Sequence, residues 1–166
     1  MNIFVTDECP KKSAQEQCDK HVVKMILESA QMLSTAWRVY DDEYSEKHGL
    51  YKQAYLNHPC TVWTREAPEN YVWLCTHFDQ LCKEYSARYL KFHRSEKLKH
   101  GLWNIPFPIK RLKNIPDNPK TFALAMPDEY KTENVYDSYR NYLVNEKSHF
   151  AKWDKIPSRK PTWWNN

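Results

Sequence analysis

The chain predicts an all-α fold: a compact, single-domain bundle of three to five helices over residues 1–166, with a long proline-rich irregular crossing. Three observations lead there. Only two glycines, Gly49 and Gly101, occur in 166 residues, which argues against a turn-rich β architecture and excludes a glycine-rich phosphate loop. The stretch DKHVVKMILESAQMLSTAW (19–37) is apolar or small around most of its circumference at helical spacing, as expected of a helix central to its fold. A second long helical pattern follows Pro68.

Taken in order, MNIFVTDE (1–8) reads as a short extended start. The first helix runs from Asp19, a candidate N-cap, to Tyr40. DDEYSEKHG (41–49) is a polar connector closed by a glycine, and residues 50–57 are ambiguous. NHP (57–59) marks a break, because a residue before proline is pushed out of the α region. Pro59 opens a short helix, CTVWTRE. Pro68 opens a longer one reaching about His93, proline being acceptable in a first turn. NIPFPIKRLKNIPDNPKTFALAMP (104–127) carries five prolines and forms the stiff crossing. A last helix runs from Thr132 or Glu133 to about Trp153, and the tail IPSRKPTWW ends in aromatics.

The composition, 41% hydrophobic and 28% charged, is that of an ordinary soluble protein. No apolar run approaches the ~18 residues of a membrane span, and the N-terminus has no signal-peptide core, so a cytoplasmic location is expected (host cytoplasm if phage-encoded). The five cysteines form no CxxC pair and read as reduced thiols. Seven Trp and eleven Tyr with a formal charge of +4 suit nucleic acid or nucleotides as partners, and no cofactor is expected.

On the first helix, His21, Lys24, Glu28 and Gln31 fall within an arc of roughly 80° at about 100° per residue. Either this stripe is a solvated face, or it lines a cleft and pairs its members internally, since burying such groups unpaired costs several kcal/mol. In the second case Glu28 is a candidate catalytic carboxylate with His21 and Lys24 as partners. The helix after Pro68 carries a similar line: Asn70, Trp73, His77, Glu84 and Arg88. If the two lines face each other, one pocket encloses His21, Glu28, His77, Glu84 and Arg88, with His58 projecting from the NHP break and Arg65 following on the short helix. His58, His77, His93 and Glu84 are metal-ligand types, but no HExxH or similar spacing accompanies them. KFHRSEKLKH (91–100) and IKRLKN (109–114) flank Trp103 and Phe107, and basic charge among rings fits a nucleic-acid backbone with a stacked base.

The pattern Asp19-x-His21-Val22-Val23 with Glu28 five residues on resembles the corresponding helix of the phage pyrimidine-dimer DNA glycosylases (endonuclease V). Glu146-Lys147 and the closing Arg159-Lys160-Pro161-Thr162-Trp163 resemble that family's C-terminal segment, and Tyr55-x-Asn57-His58-Pro59 looks like a tract of its bacterial relatives. The order of these patches follows the family's; MPDEY (126–130) matches nothing in it. The resemblance implies an all-α, metal-independent enzyme with Glu28 as the key carboxylate. An amine would attack C1′ of a damaged or modified nucleotide, the base would leave, and β-elimination would cut the strand. Trp163 and Trp164 would contact DNA, with a base displaced from the stack. The sequence departs from the family at two places. The family's nucleophile is an amine exposed by Met removal before a small residue, whereas Asn2 is large, leaving Met1, Lys20 or Lys24. Leu27, not arginine, precedes Glu28. Simple N-glycosidic hydrolysis therefore stays open beside AP-lyase chemistry. So does a non-catalytic phage module that binds nucleic acid, nucleotide or a host protein.

Overall fold

Two 22-residue helices, α2 (Asp19–Tyr40) and α5 (Pro68–Tyr89), pack against each other and carry the rest of the molecule. The computed structural model describes residues 1–111 and 122–164. Among these residues it holds eight helices and no strand, as an all-α fold requires. The others are α1 (Pro10–Glu16), α3 (Asp42–Lys47), α4 (Pro59–Glu66), α6 (Lys99–Leu102), α7 (Phe107–Lys110) and α8 (Val135–Lys147). One hydrophobic core runs from Ile3 to Trp164, centred on Val22, Met25, Ile26, Met32 and Leu33 of α2 and Leu74, Phe78 and Leu81 of α5.

The count exceeds the three to five expected, because short helices fill segments read as connectors. Pro10 and Pro59 sit in the first turns of α1 and α4, where the missing N–H has no intrahelical partner to lose. Asp41 caps α3 by accepting from the Tyr44 N–H at 2.8 Å. Cys18, not Asp19, is the N-cap of α2: the Asp19 N–H donates to the Lys152 carbonyl at 2.8 Å, so a distant segment satisfies this helix start. α5 stops at Tyr89 rather than His93, since Leu90 turns left-handed (φ 55°) and donates to Ser86. α8 spans less than expected at both ends; Asn134 caps it, accepting from the N–H groups of Tyr136 and Asp137. Residues 112–121 of the proline-rich crossing, with the end of the 109–114 basic stretch, lie outside the described residues.

The second polar line is buried, but it faces the C-terminal tail and α1 rather than the stripe of α2. The Arg88 side chain is inaccessible to solvent. It donates to the Gln17 and Gln15 carbonyls (2.7 and 2.8 Å), to Asp19 (3.1 Å) and to Glu84. Arg159 from the tail binds the other oxygen of Glu84 at 2.9 Å, and the Lys155 N–H reaches Asp19 at 3.1 Å. Trp153 donates to the Glu16 carbonyl and packs edge-on against Trp164 at 4.9 Å. This clasp holds the tail to α1, α2 and α5. The expectation that Glu84, Arg88 and His77 share one pocket with Glu28 is therefore corrected: their partners lie about 70 residues away in sequence, and helical spacing carries no information on that.

Candidate active site

The first four residues form a hook over α2. Asn2 Oδ1 accepts from the N–H groups of Ile3 (2.8 Å) and Phe4 (3.1 Å), and its Nδ2 donates to the Ala125 carbonyl at 2.8 Å. Phe4 reverses the chain at φ 45°, a conformation costing a bulky residue about 1–2 kcal/mol. Gln17 Nε2 holds the Phe4 carbonyl at 2.8 Å, and Ser13 Oγ approaches it at 3.4 Å. The Asn2 side chain thus braces the hook that lays Met1 against α2.

Glu28 receives this hook. Its Oε2 accepts from the Asn2 N–H at 2.7 Å and lies 3.8 Å from the Met1 ammonium. Its Oε1 lies 3.5 Å from Lys24 Nζ, one turn earlier on α2. Glu28 is only 8% exposed, so its charge is held by two amines and a backbone donor rather than by bulk water. Three of the four stripe residues, His21, Lys24 and Glu28, thus line a cleft.

The cleft encloses about 450 Å³. Met1, Asn2, Phe4, Lys20, His21, Lys24 and Glu28 form one side, while Ala125, Tyr142, Lys147 and Phe150 close the other. Glu28 is the one carboxylate among these residues, against three lysines. Lys20 Nζ lies 5.2 Å from the Phe150 ring centre, and Lys147 Nζ 5.0 Å from that of Tyr142, so the rim alternates cations and rings. His21 packs between Phe4 (4.7 Å) and Phe150 (5.3 Å). Burial, with Lys147 and Lys24 nearby, lowers its pKa to about 4 and keeps the imidazole neutral. Among the described residues no ion pair joins it to Glu28.

His58 lies within electrostatic reach of the same centre. Its pKa is lowered first by burial, then by the Met1 ammonium, while Glu28 pulls the other way. Its Nδ1 accepts from the Cys60 N–H at 3.2 Å, which caps α4. The Cys60 thiol is pushed up to about 12 by burial and is inert as a nucleophile.

The remaining sequence candidates do not line the cleft. Gln31 continues the Lys24–Glu28 line along α2, half-buried. Arg65 donates to the Thr61 carbonyl of its own helix at 3.0 Å. Trp73 is buried, donates to the Glu8 carbonyl at 2.9 Å and stacks on His77 at 4.9 Å. His77 is fully buried; its Nδ1 carries the proton, because its partner at 3.0 Å is the Pro10 carbonyl, and burial lowers its pKa to about 4. Trp164 is buried, and Trp163 is half-buried beneath Arg140 at 5.7 Å, so both belong to the tail's packing. Among the described residues no group of three or more His, Cys, Asp or Glu could hold a metal ion, and no helix is long and apolar enough to cross a membrane.

Sequence reading missed the far wall. Tyr142 and Phe150 gave no signal of their own, although Lys147 lies in a stretch with family character. Asp128–Tyr130, within MPDEY, forms a short turn against α8, with the Tyr130 hydroxyl donating to Glu146 at 2.6 Å. Ala125, just before it, reaches the cleft.

No curated protein and no solved structure matches the chain. A family model does, over residues 1–98, which contain the hook, α2 and the His58 break. By that match, across more than half its length, the chain belongs to the pyrimidine dimer DNA glycosylase family.

Proposed function

We propose that the chain is a metal-independent DNA N-glycosylase that removes a damaged or modified base, with Glu28 as its catalytic carboxylate and an amine of the cleft as nucleophile. One observation carries the reading: a buried carboxylate bracketed by the Met1 and Lys24 amines, at 3.8 and 3.5 Å, on the floor of an open basic cleft. Family membership supports the substrate class.

In this mechanism an unprotonated amine attacks C1′. The new N–C1′ bond forms as the C1′–base bond breaks, and the electron pair departs with the base, which takes up a proton. Glu28 stabilises the cationic sugar as charge develops, then accepts the proton that the amine sheds. Opening of the sugar ring, as the C1′–O4′ bond breaks and Glu28 returns its proton to O4′, gives an iminium. Loss of a C2′ proton from it expels the 3′-phosphate and cuts the strand. His21, neutral in the cleft wall, is the base available for that second proton. Lys20 and Lys147 meet the backbone phosphates, and Tyr142 and Phe150 supply flat faces to a base.

The test is incubation of wild type and Glu28→Gln with UV-irradiated, uracil-containing and undamaged duplex DNA in chelator. Wild type cleaves the glycosidic bond in one damaged substrate, and Glu28→Gln loses at least about a thousandfold in rate while still binding. Equal rates in the two proteins would refute the assignment. Cleavage that disappears in chelator would indicate a metal-dependent reaction instead.

A further inference from the structure

Tyr55 combines three properties that the cleft does not explain. Its backbone is left-handed (φ 49°), a conformation that favours glycine or asparagine over a bulky aromatic. Its side chain is 67% exposed. Among the described residues its ring and hydroxyl make no hydrogen bond, ion pair or ring contact. A ring held in solvent on a strained backbone contributes nothing visible to stability.

The loop that presents it is nevertheless fixed to the catalytic helix. Thr35 Oγ1 accepts from the Ala54 N–H at 3.0 Å and donates to the Ala54 carbonyl at 3.2 Å. The Tyr55 carbonyl in turn accepts from the His58 N–H at 2.9 Å, closing a turn. Thr35 lies seven residues beyond Glu28, two turns along α2 and about 20° from it around the axis, so both face the same way about 10 Å apart. His58 is near enough to the Met1–Glu28 pair to feel both charges. The loop therefore starts beside Thr35 and returns towards Glu28, with Tyr55 at its exposed bend. Other exposed aromatics lack this placement: Phe107 is engaged by Arg111 at 4.4 Å, Tyr40 ends α2, Phe92 follows the far end of α5 and Trp103 follows α6.

We infer that Tyr55 inserts into the base stack of duplex DNA, filling the gap beside a nucleotide displaced towards Glu28. The inference rests on the glycosylase reading for the duplex and the displaced nucleotide. An inserted ring compensates the stacking lost when a base leaves the helix, and a prestrained, rigidly anchored loop delivers it without ordering a flexible segment.

The experiment uses a duplex carrying one thymine dimer with 2-aminopurine as the adjacent base, and the same duplex without the dimer. Binding is measured with Glu28→Gln protein bearing Tyr55, Tyr55→Phe or Tyr55→Gly. Glycine relieves the positive φ, so thermal unfolding no lower than that of the parent separates any loss from misfolding. With Tyr55 or Phe the inserted ring stacks on the 2-aminopurine and the dimer duplex stays dim on binding; with Gly the gap stays open, the fluorescence rises several-fold and affinity falls by roughly tenfold or more. An equal rise with Tyr55, or no rise with Gly, overturns the inference. Glycosidic cleavage by the protein with Glu28 intact is scored separately as alkali-labile sites, because the cut thymine stays joined to its cyclobutane partner. Cleavage without a Tyr55-dependent signal sinks the insertion and keeps the glycosylase; a Tyr55-dependent signal without cleavage does the reverse.

Discussion

Acidification from pH 7 to pH 5 should cost this protein about 4 kcal/mol of folding stability, well before its carboxylates protonate. The perturbation acts on two histidines, His21 in the cleft wall and His77 between Trp73 and Pro10. Burial holds both neutral and lowers each from 6.5 to about 4. Between these two values the unfolded chain binds more protons than the folded one, so stability is fully present above about pH 6.5 and drains away as pH falls towards 4. The full shift corresponds to about 3 kcal/mol for each histidine, of which about 2 kcal/mol is gone by pH 5. His58 and His93, also lowered by burial, act in the same direction. Asp7 and Asp79 lie below the usual carboxylate value of 3.8, so their contribution is lost only under more acid conditions. Against a typical total of about 5–15 kcal/mol, the loss moves the urea midpoint substantially. The assay is urea unfolding at half-unit steps from pH 7.5 to 5, for wild type and for His77→Gln. The substitution lowers stability at every pH, but its signature is the slope, which should fall by nearly half. A flat wild-type profile, or an unchanged slope in His77→Gln, would refute the argument that buried neutral imidazoles govern this range.

Two further outcomes follow from the clasp. Arg88→Met leaves Glu84 and Asp19 buried without their shared partner and should cost about 3–5 kcal/mol, read by the same urea titration. A loss under about 1 kcal/mol would show that solvent reaches the pair. Trp164→Ala should destabilise by about 3–5 kcal/mol with DNA affinity changed only in proportion to the unfolded fraction, because the ring packs on Trp153 rather than facing the cleft. A selective affinity loss in a fully folded variant would return that tryptophan to the DNA interface.

The sequence was legible where local rules dominate. Proline at the head of α4 and α5 gave their starts, the apolar wrap of α2 marked it as the central helix, and the 80° stripe placed Glu28, Lys24 and His21 together in one cleft. It was illegible where distant segments decide. The α2 start is satisfied by Lys152, and the left-handed Leu90 that ends α5 breaks the glycine rule for helix stops. The same spacing argument that found the cleft misplaced Glu84 and Arg88, because periodicity states which residues share a face and not what that face meets. The cleft's second wall comes from residues 125–150, beyond the span that the family model matches. The size of Asn2 left Met1, Lys20 or Lys24 as the candidate amine, but nothing local announced that its side chain bonds Ile3, Phe4 and Ala125 while its backbone N–H meets Glu28.

The central claim is that Glu28 works with a neighbouring amine, and borohydride trapping tests it most directly. Purified protein is incubated with UV-irradiated duplex DNA and borohydride, and the adduct is mapped by peptide mass spectrometry. The account predicts a covalent link on the α-amine of Met1 or on Lys24, lost in Glu28→Gln. An adduct on a lysine outside the cleft, or glycosidic cleavage with no adduct under any condition, would contradict it.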